Sequence, residues 1–232
     1  MKVVYEATRN FYGYLSGAIR SLLEHNNPEV VYVLAEDDHI DGLPNVCKVI
    51  DISGQKWISE TSPNWKTSYS WMVLIRVCMP EILKHEDKVL QLDVDTIVCD
   101  SLEDLWNVDM DDKWFGMVPE YESAYRPFGP VYYNAGVVLF NLKQMRLNNI
   151  MPVLATDLNT MWHPYPEQDV MNMYGQTLKK IVTLPVRFNE SYCCGFTERP
   201  AVMHYAGIGD WMTNRNMIRS ELVEKYHGPL IR

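Results

Sequence analysis

One segment limits the possible folds more than any other: an apolar run that carries two carboxylates. Lys88–Val98 is rich in valine and leucine, follows a helix-like segment and contains Asp93 and Asp95. Such a run predicts a buried strand. Side chains two residues apart in a strand share a face, so the two carboxylates converge if the extended backbone continues to Asp95. That geometry suits a metal ion, although a strand running into a polar loop is the preferred interpretation of such a pair taken alone.

The amino-terminal part of the chain has the pattern of a strand, a helix and a second strand. Val3–Tyr5 and Val30–Leu34 are apolar runs, and between them apolar residues recur with a helical period over Tyr14–Leu23. A right-handed βαβ unit is the expected arrangement, with ligands at the carboxyl ends of its strands. The loop Glu6–Asn10 is therefore a candidate nucleotide contact. It lacks the glycines of a dinucleotide fingerprint or a P-loop.

Strands and helices alternate along the rest of the chain, which predicts an α/β domain. The further predicted strands are Val46–Ile52, Trp114–Val118, Val137–Phe140, Ile181–Leu184, Val186–Phe188 and Ala201–His204. The predicted helices are Thr67–Leu83, Ser101–Trp106, Met151–Met161, a stretch from about Glu167 to Tyr174, and Met217–Tyr226. Pro80 is expected to interrupt or bend the last turn of its helix. Glu120–Pro130 is expected to be a loop.

Composition excludes several classes of function. A chain of 232 residues with 47% hydrophobic and 22% charged residues fits one globular domain. The net charge of -9 argues against a nucleic-acid partner, and a negatively charged ligand would need a metal ion or a local group of cations. No run approaches the roughly 20 apolar residues of a membrane span. Met1–Glu6 is typical of a first strand rather than a secretory signal.

The cysteines and the carboxyl-terminal segment give information about where in the cell the protein is located. The five cysteines are odd in number and form no CxxC pair, which indicates reduced thiols and a cytoplasmic protein. Met217–Tyr226 is amphipathic, with Arg215, Arg219 and Lys225 in or beside it. It is expected to pack on the domain, and peripheral contact with a membrane surface is the alternative.

Several other residues carry chemistry, and each has a simpler explanation when taken alone. Arg76 is a single charge within an apolar run, where an arginine simply reaches solvent or pairs with a carboxylate, although such a setting usually requires a fixed partner. Asn134 lies in a turn before a strand, and Glu167–Asp169 lies where acidic residues stabilise a helix start. His204 ends a short strand, and a lone histidine is most often structural.

Taken together and in this order, the motifs resemble glycosyltransferase family 8, whose members are retaining sugar-nucleotide transferases. The motifs are Arg76 with Pro80–Leu83, Lys88–Thr96, Tyr133–Val137 with Asn141 and Leu142, Glu167–Asp169 with Asn172, and His204–Gly207. The resemblance extends from Val3 to Trp211. It implies the GT-A fold, an α/β nucleotide-binding mixed sheet flanked by helices, as one domain over residues 1–232. The nucleotide-binding half would span about 1–100 and the acceptor-side half about 101–232.

The resemblance also implies ligands and roles for individual residues. The family commonly uses a UDP-sugar donor, a glycan acceptor and Mn²⁺, with Mg²⁺ as the alternative, and Asp93, Asp95 and His204 match its metal ligands. The positions that match donor contacts are Ala7, Thr8, Asn10, Arg76, Asp93, Val94, Asp95, Asn134, Ala135, Gly136 and Gly207. Glu167 matches a sugar-binding position. Gln168 matches the position beside the anomeric carbon, where its amide oxygen would stabilise an oxocarbenium-like transition state or attack it.

Two positions depart from the family pattern. Thr8 stands where an aspartate commonly reads the uracil. Asp210 and Trp211 stand where a diphosphate-binding lysine and a proline are common, so an anion replaces a cation close to the leaving group. Arg9 or Arg215 is a candidate replacement for that cation.

The resulting hypothesis is a metal-dependent retaining transferase of glucose or galactose from the UDP-sugar to a glycan. Two alternatives remain open. One is a non-catalytic nucleotide-sugar-binding member of the family, suggested by Thr8 and Asp210. The other is a metal-dependent phosphohydrolase that uses the same carboxylates to cleave nucleotide sugars, although it leaves Gln168 without a role.

Overall fold

A computed structural model describes residues 1–207, 212 and 217–228 of the chain. The strands in this part are β1 (Lys2–Ala7), β2 (Val30–Ala35), β3 (Cys47–Asp51), β4 (Lys88–Leu92), β5 (Thr96–Val98), β6 (Phe115–Pro119), β7 (Tyr133–Asn141), β8 (Ile181–Thr183) and β9 (Val202–His204). The α-helices are α1 (Tyr12–His25), α2 (Met79–Ile82), α3 (Glu103–Trp106), α4 (Leu142–Leu147), α5 (Met151–Thr160), α6 (Pro166–Thr177) and α7 (Ser220–His227). Short 3-10 helices cover Arg9–Phe11, Trp71–Cys78 and Val186–Phe188.

Seven strands form one mixed sheet in the order β3-β2-β1-β4-β7-β6-β8. Strands β3, β2, β1 and β4 are parallel to one another, whereas β7 runs antiparallel to both β4 and β6. Strands β5 and β9 form a separate antiparallel pair. Because β1 and β4 are parallel and adjacent, their carboxyl ends meet at one edge of the sheet, where such folds bind ligands. The antiparallel β7 begins at the same edge.

Both faces of the sheet are buried, which explains the continuous apolar runs of its central strands. Alternate residues of β1 point to opposite sides, so Val3 packs in one hydrophobic core and Val4 in the other. Helices α1 and α3 cover the first face. The 3-10 helix at Trp71–Cys78 and helices α5 and α6 cover the second face. The ligand-binding edge is thus held by two packed layers.

The helix predicted over Thr67–Leu83 is shorter and of mixed type. Trp71–Cys78 is a 3-10 helix that begins after Ser70, whose side chain accepts a hydrogen bond from the Met72 backbone. Pro80 lies in the first turn of α2, where its missing N–H costs nothing. The predicted helix is thus interrupted just before Pro80, as expected, but Pro80 lies at the start of a new helix and does not bend a last turn.

Val186–Phe188 is a 3-10 turn and not the predicted strand. Such a short apolar run does not distinguish a strand from a buried helical turn. All five cysteines lie in the described part of the chain and are free thiols, as expected. None of the helices in that part combines the length and apolar character that crossing a bilayer requires.

Candidate active site

The two carboxylates after β4 converge through a turn, not through the predicted strand geometry. The extended backbone stops at Leu92, and the Thr96 backbone N–H donates to the Asp93 carbonyl at 3.1 Å. The Thr96 hydroxyl donates to the same carbonyl at 2.6 Å. The Asp93 N–H donates to the Gly136 carbonyl at 2.9 Å, which fixes the turn against β7. Asp93 and Asp95 therefore face one point because the chain folds back between them.

The pairing of β5 with β9 brings a histidine to the same point. Thr96, directly after Asp95, lies opposite His204 in this ladder. The Nε2 atom of His204 lies 3.3 Å from Asp95 Oδ1 and 3.7 Å from Asp93 Oδ2. The candidate ligand atoms of the three residues lie within 4.8 Å of one another. The three predicted metal ligands thus form one cluster.

The charges of this cluster act strongly on one another. Burial lowers the pKa of His204, but the Asp95 and Asp93 carboxylates more than offset this effect, and the net pKa is raised. Burial raises the pKa of Asp93, with Arg76 opposing. Burial also opposes ionisation of Asp95, but His204 outweighs it and lowers the Asp95 pKa. Two carboxylates held this close repel each other, a repulsion that a bound cation relieves.

A chain of hydrogen bonds sets the orientation of the His204 ring. Glu120 accepts a bond from the Asn134 amide at 2.9 Å, and Asn134 Oδ1 accepts one from Asn189 Nδ2 at 2.8 Å. Asn189 therefore presents its oxygen to His204 Nδ1, also at 2.8 Å. With the proton on Nδ1, the lone pair of Nε2 faces the two aspartates. Partners of this kind fix the tautomer of metal-binding histidines.

Gly136 is required by the packing around His204. A Cβ atom added at Gly136 would overlap the imidazole ring of His204. Gly136 matches a donor contact of the family, and the contact observed at this position is with the histidine. Gly136 and the buried Ala135 bring β7 close to the cluster.

Arg76 has the fixed partners that its apolar surroundings predicted. Its guanidinium donates to Asp93 at 2.5 Å, to Glu167 at 3.1 Å and to the Ala135 carbonyl at 2.8 Å. Two longer bonds of 3.5 Å reach Glu6. Burial raises the pKa of both Glu6 and Glu167 to about 7 although Arg76 opposes the shift. One arginine thus connects the Asp93 turn with β1, β7 and α6.

Gln168 lies at the start of α6 with both ends of its amide bonded. Its oxygen accepts a hydrogen bond from the Ala135 backbone at 2.8 Å, and its nitrogen donates to Glu120 at 3.2 Å. Asn172, one turn later, donates to the carbonyls of Tyr133 and Gln168 and ties α6 to β7. Gln168 is thus held beside Asn134 and Ala135.

The predicted nucleotide loop starts at the carboxyl end of β1, beside the cluster. Ala7 ends the strand and is buried, Thr8 is extended, and Asn10 is exposed within a 3-10 turn. Arg9, proposed above as a replacement cation, is paired with Asp37 at 2.6 Å. A cavity of about 540 Å³ adjoins this loop and is lined by Arg9, Glu36, Ser53, Gln55, Lys56, Ile58, Ser59, Glu60, Trp65 and Trp71.

The loop after β9 is described only as far as Gly207. Gly207 has a positive φ of 72°, a conformation that glycine adopts readily. Asp210, Trp211 and Arg215 lie outside the described residues, so the predicted departure at the lysine position stays a prediction.

The residues that support the cluster were not predicted as site residues. Gln91, Glu120 and Asn189 are buried, and each bonds a predicted site residue. Glu6 was predicted only as the first residue of the loop after β1. It belongs to β1 itself, and its side chain contacts Arg76. Buried polar residues in apolar strands, such as Gln91 in β4, are the one sequence signal that could have pointed to them.

Comparison with known proteins agrees with this geometry. The family model described as Glycosyl transferase family 8 matches residues 2–209. Two relatives from Streptococcus pneumoniae, the glycosyltransferases GlyD and GlyA, are each 28% identical over 62% and 70% of this chain. The matches cover 18% and 24% of those two proteins, so the chain spans about a fifth of their length. A putative glycosyltransferase of Haemophilus influenzae is 22% identical over 82% of this chain and 63% of its own.

Solved structures of glycosyltransferases share the fold. An active-site mutant of LgtC superposes with a TM-score of 0.76 at 22% identity, over 98% of this chain and 95% of the other. The galactosyltransferase LgtC in complex with donor and acceptor sugar analogues gives a TM-score of 0.72 at 23% identity, over 100% and 97%. The predicted GT-A fold is thereby confirmed. With a family model matched over nearly its whole length, the chain belongs to glycosyltransferase family 8.

Proposed function

We propose that this glycosyltransferase transfers glucose or galactose from the UDP-sugar to a glycan acceptor with retention of configuration. The reaction would depend on a divalent cation, Mn²⁺ or Mg²⁺, held by Asp93, Asp95 and His204. The observation that carries the proposal is the convergence of these three side chains at the ligand-binding edge of the sheet.

The donor set of the cluster fits such a cation. Carboxylate oxygens suit Mg²⁺ and Mn²⁺, and an imidazole nitrogen is accepted by Mn²⁺ more readily than by Mg²⁺. With Nδ1 donating to the Asn189 oxygen, the lone pair of His204 Nε2 is left for the ion, on the side of the ring that lies 3.3 Å from Asp95 and 3.7 Å from Asp93. When bound, the cation would neutralise the negative charge that develops on the departing diphosphate. Mn²⁺ is therefore the preferred ion.

The nucleotide would extend from the cluster towards the loop after β1. The cavity of about 540 Å³ beside Arg9 offers an aromatic wall, because Trp65 and Trp71 stack with ring centroids 4.8 Å apart. The indole N–H of Trp71 donates to Glu36 at 3.1 Å. Aromatic rings with a few fixed polar groups are typical of small-molecule sites. These residues take the place of the base-reading aspartate that Thr8 replaces.

The transfer breaks the bond between the anomeric carbon and the diphosphate oxygen. The acceptor oxygen forms the new bond on the same face of the sugar, and its proton passes to the departing diphosphate. Gln168 would act by electrostatic stabilisation of the positive charge that develops on the sugar. Its amide oxygen already accepts a bond from Ala135, which reduces its strength as a nucleophile and favours this role over direct attack.

A sugar acceptor fits the aromatic rim of the site. Tyr165 directly precedes the start of α6, which carries Gln168, and is 40% exposed. Tyr69, 41% exposed, lies 6.2 Å from it between ring centroids. Buried Asp169 accepts bonds from the Tyr165 backbone and the Tyr125 hydroxyl, which holds this rim in place. Exposed tyrosine rings combine an apolar face with a polar edge, as a sugar ring does.

The test is a donor and acceptor screen with defined products. We expect UDP-glucose or UDP-galactose to yield UDP and a glycoside of unchanged anomeric configuration, with activity lost in EDTA and restored by Mn²⁺. Asp93→Asn and Asp95→Asn should each reduce the rate by at least about 100-fold, more than losing an outer partner of a ligand costs. The exposed Asp104→Asn variant is the matched control and should keep full activity.

Other products would decide against the proposal. Release of UMP and sugar phosphate would indicate the phosphohydrolase. Binding of the UDP-sugar without turnover over the acceptor panel would indicate a non-catalytic binding protein. Full activity of Asp93→Asn in the presence of Mn²⁺ would contradict the proposed ligand set.

A further inference from the structure

A buried carboxylate behind the candidate metal ligands takes no direct part in the proposed transfer reaction. Glu6, near the end of β1, has a side chain that is only 3% exposed. Both of its oxygens face Arg76, with Nε and Nη2 of the guanidinium each 3.5 Å away. Its Oε2 atom also accepts a bond from Gln91 Nε2 at 3.3 Å. A carboxylate that faces two donors of one guanidinium fixes the plane of that group.

Two of the three donors that face Glu6, Arg76 Nη2 and Gln91 Nε2, also hold Asp93. Arg76 Nη2 donates to Asp93 Oδ1 at 2.5 Å, and Gln91 Nε2 donates to the same oxygen at 2.8 Å. Asp93 Oδ1 therefore accepts two hydrogen bonds from the side away from His204. The other oxygen, Oδ2, is the one that faces His204.

We infer that Glu6 is a positioning residue that holds Arg76 and Gln91 so that Asp93 turns Oδ2 towards the metal ion. The inference rests on the proposed metal site. The single positive charge of Arg76 is shared by three carboxylates, those of Glu6, Asp93 and Glu167. Asp93 therefore keeps more negative charge than it would if Arg76 were paired with Asp93 alone. Without Glu6, the guanidinium loses two hydrogen bonds and the amide loses one, so both are held less firmly, and Arg76 competes more strongly with a cation for Asp93.

The test is direct Mn²⁺ binding by the full chain, measured from the electron paramagnetic resonance signal of free Mn²⁺ without a nucleotide sugar. At about pH 8 the Glu6 carboxyl, whose pKa is raised to about 7, is ionised. We expect Glu6→Gln to raise the Kd for Mn²⁺ about tenfold, the lower end of the effect of losing a partner of a ligand, because Glu6 acts on Asp93 through Arg76 and Gln91. Glu6→Asp, which keeps the charge and shortens the reach, should weaken binding similarly.

The matched control is Glu86→Gln. Glu86 is also buried and paired, with Lys2 and Tyr32, but it contacts none of the site residues. Its loss should lower the unfolding temperature and leave the Kd for Mn²⁺ within about twofold of the wild-type value. A purely structural role for Glu6 would give the same pattern as this control.

Gln91→Leu provides a second test that does not depend on the folding of the Glu6 variants. It removes one of the two shared donors, and Mn²⁺ binding should again weaken about tenfold. An unchanged Kd for Mn²⁺ in Glu6→Gln overturns the inference and leaves the proposed metal site intact. If Glu6→Gln does not fold, an unchanged Kd in Gln91→Leu has the same meaning. A Kd that rises in Glu6→Gln but not in Glu6→Asp also overturns it, since charge alone would then explain the effect. If the wild-type chain itself fails to bind Mn²⁺, both this inference and the proposed metal site fail.

Discussion

A single missing side chain at Gly136 allows the His204 ring to reach the two aspartates. Gly136→Ala would force the imidazole out of its place, because the added Cβ overlaps the ring. We expect the Kd for Mn²⁺ to rise at least about tenfold, and the overpacking to cost about 1–3 kcal/mol of unfolding free energy. Titration calorimetry and chemical denaturation measure the two effects. Gly13→Ala is the control, since a Cβ there meets no atom within 4 Å, and it should leave metal binding unchanged.

The residues at the site differ in how far the sequence could predict them. Asp93, Asp95 and His204 belong to motifs, and the structure brings all three together. Glu6 and Asn189 belong to no motif and act through partners up to 85 positions away in the chain. Such contacts form only when distant strands pair, so no local pattern of residues predicts them. The catalytic and donor-binding roles assigned to the predicted residues stay predictions.

At the scale of secondary structure, the turn between β4 and β5 replaces a predicted strand. Thr96→Val keeps the shape of the side chain but removes its 2.6 Å hydrogen bond to the Asp93 carbonyl. We expect a loss of about 1 kcal/mol of unfolding free energy and a several-fold weaker affinity for Mn²⁺. Thr183→Val on the edge strand β8 is the matched control. Equal Mn²⁺ affinities in the two variants would show that the turn does not need this bond.

The elements themselves were predicted to different degrees. The buried strands β1, β2, β4 and β7 follow from apolar runs whose burial on both faces leaves little ambiguity. Trp71–Cys78 is as apolar as a buried α-helix, and residue periodicity does not separate a 3-10 helix from an α-helix over so few residues. The Asp93–Asp95 turn escaped prediction because its closing bonds involve the backbone and the hydroxyl of Thr96, which also suits a strand.

At the scale of the whole molecule, the candidate metal ligands join distant parts of the chain. Asp93 and Asp95 follow β4, whereas His204 ends β9 more than a hundred residues later. The three side chains come together only in the folded chain, so an ion that binds all three binds only the folded state. At an ion concentration of 100 Kd, such binding stabilises the fold by about 2.7 kcal/mol. For a domain of 232 residues this corresponds to a rise in Tm of about 5–10 °C.

That rise should depend on pH through His204. The carboxylates raise the pKa of His204 above its ordinary value of 6.5, and a proton on Nε2 excludes a metal ion. In the metal-free protein the protonated ring stabilises the fold below about pH 6.5, and this contribution is lost as the pH rises through the raised pKa. The Tm gained from Mn²⁺ should therefore be full above that pKa and fall as the pH decreases towards 6.5. Differential scanning fluorimetry at fixed Mn²⁺ measures it, with Asp95→Asn expected to show no gain at any pH. An undiminished gain at pH 6 would mean that His204 does not bind the ion.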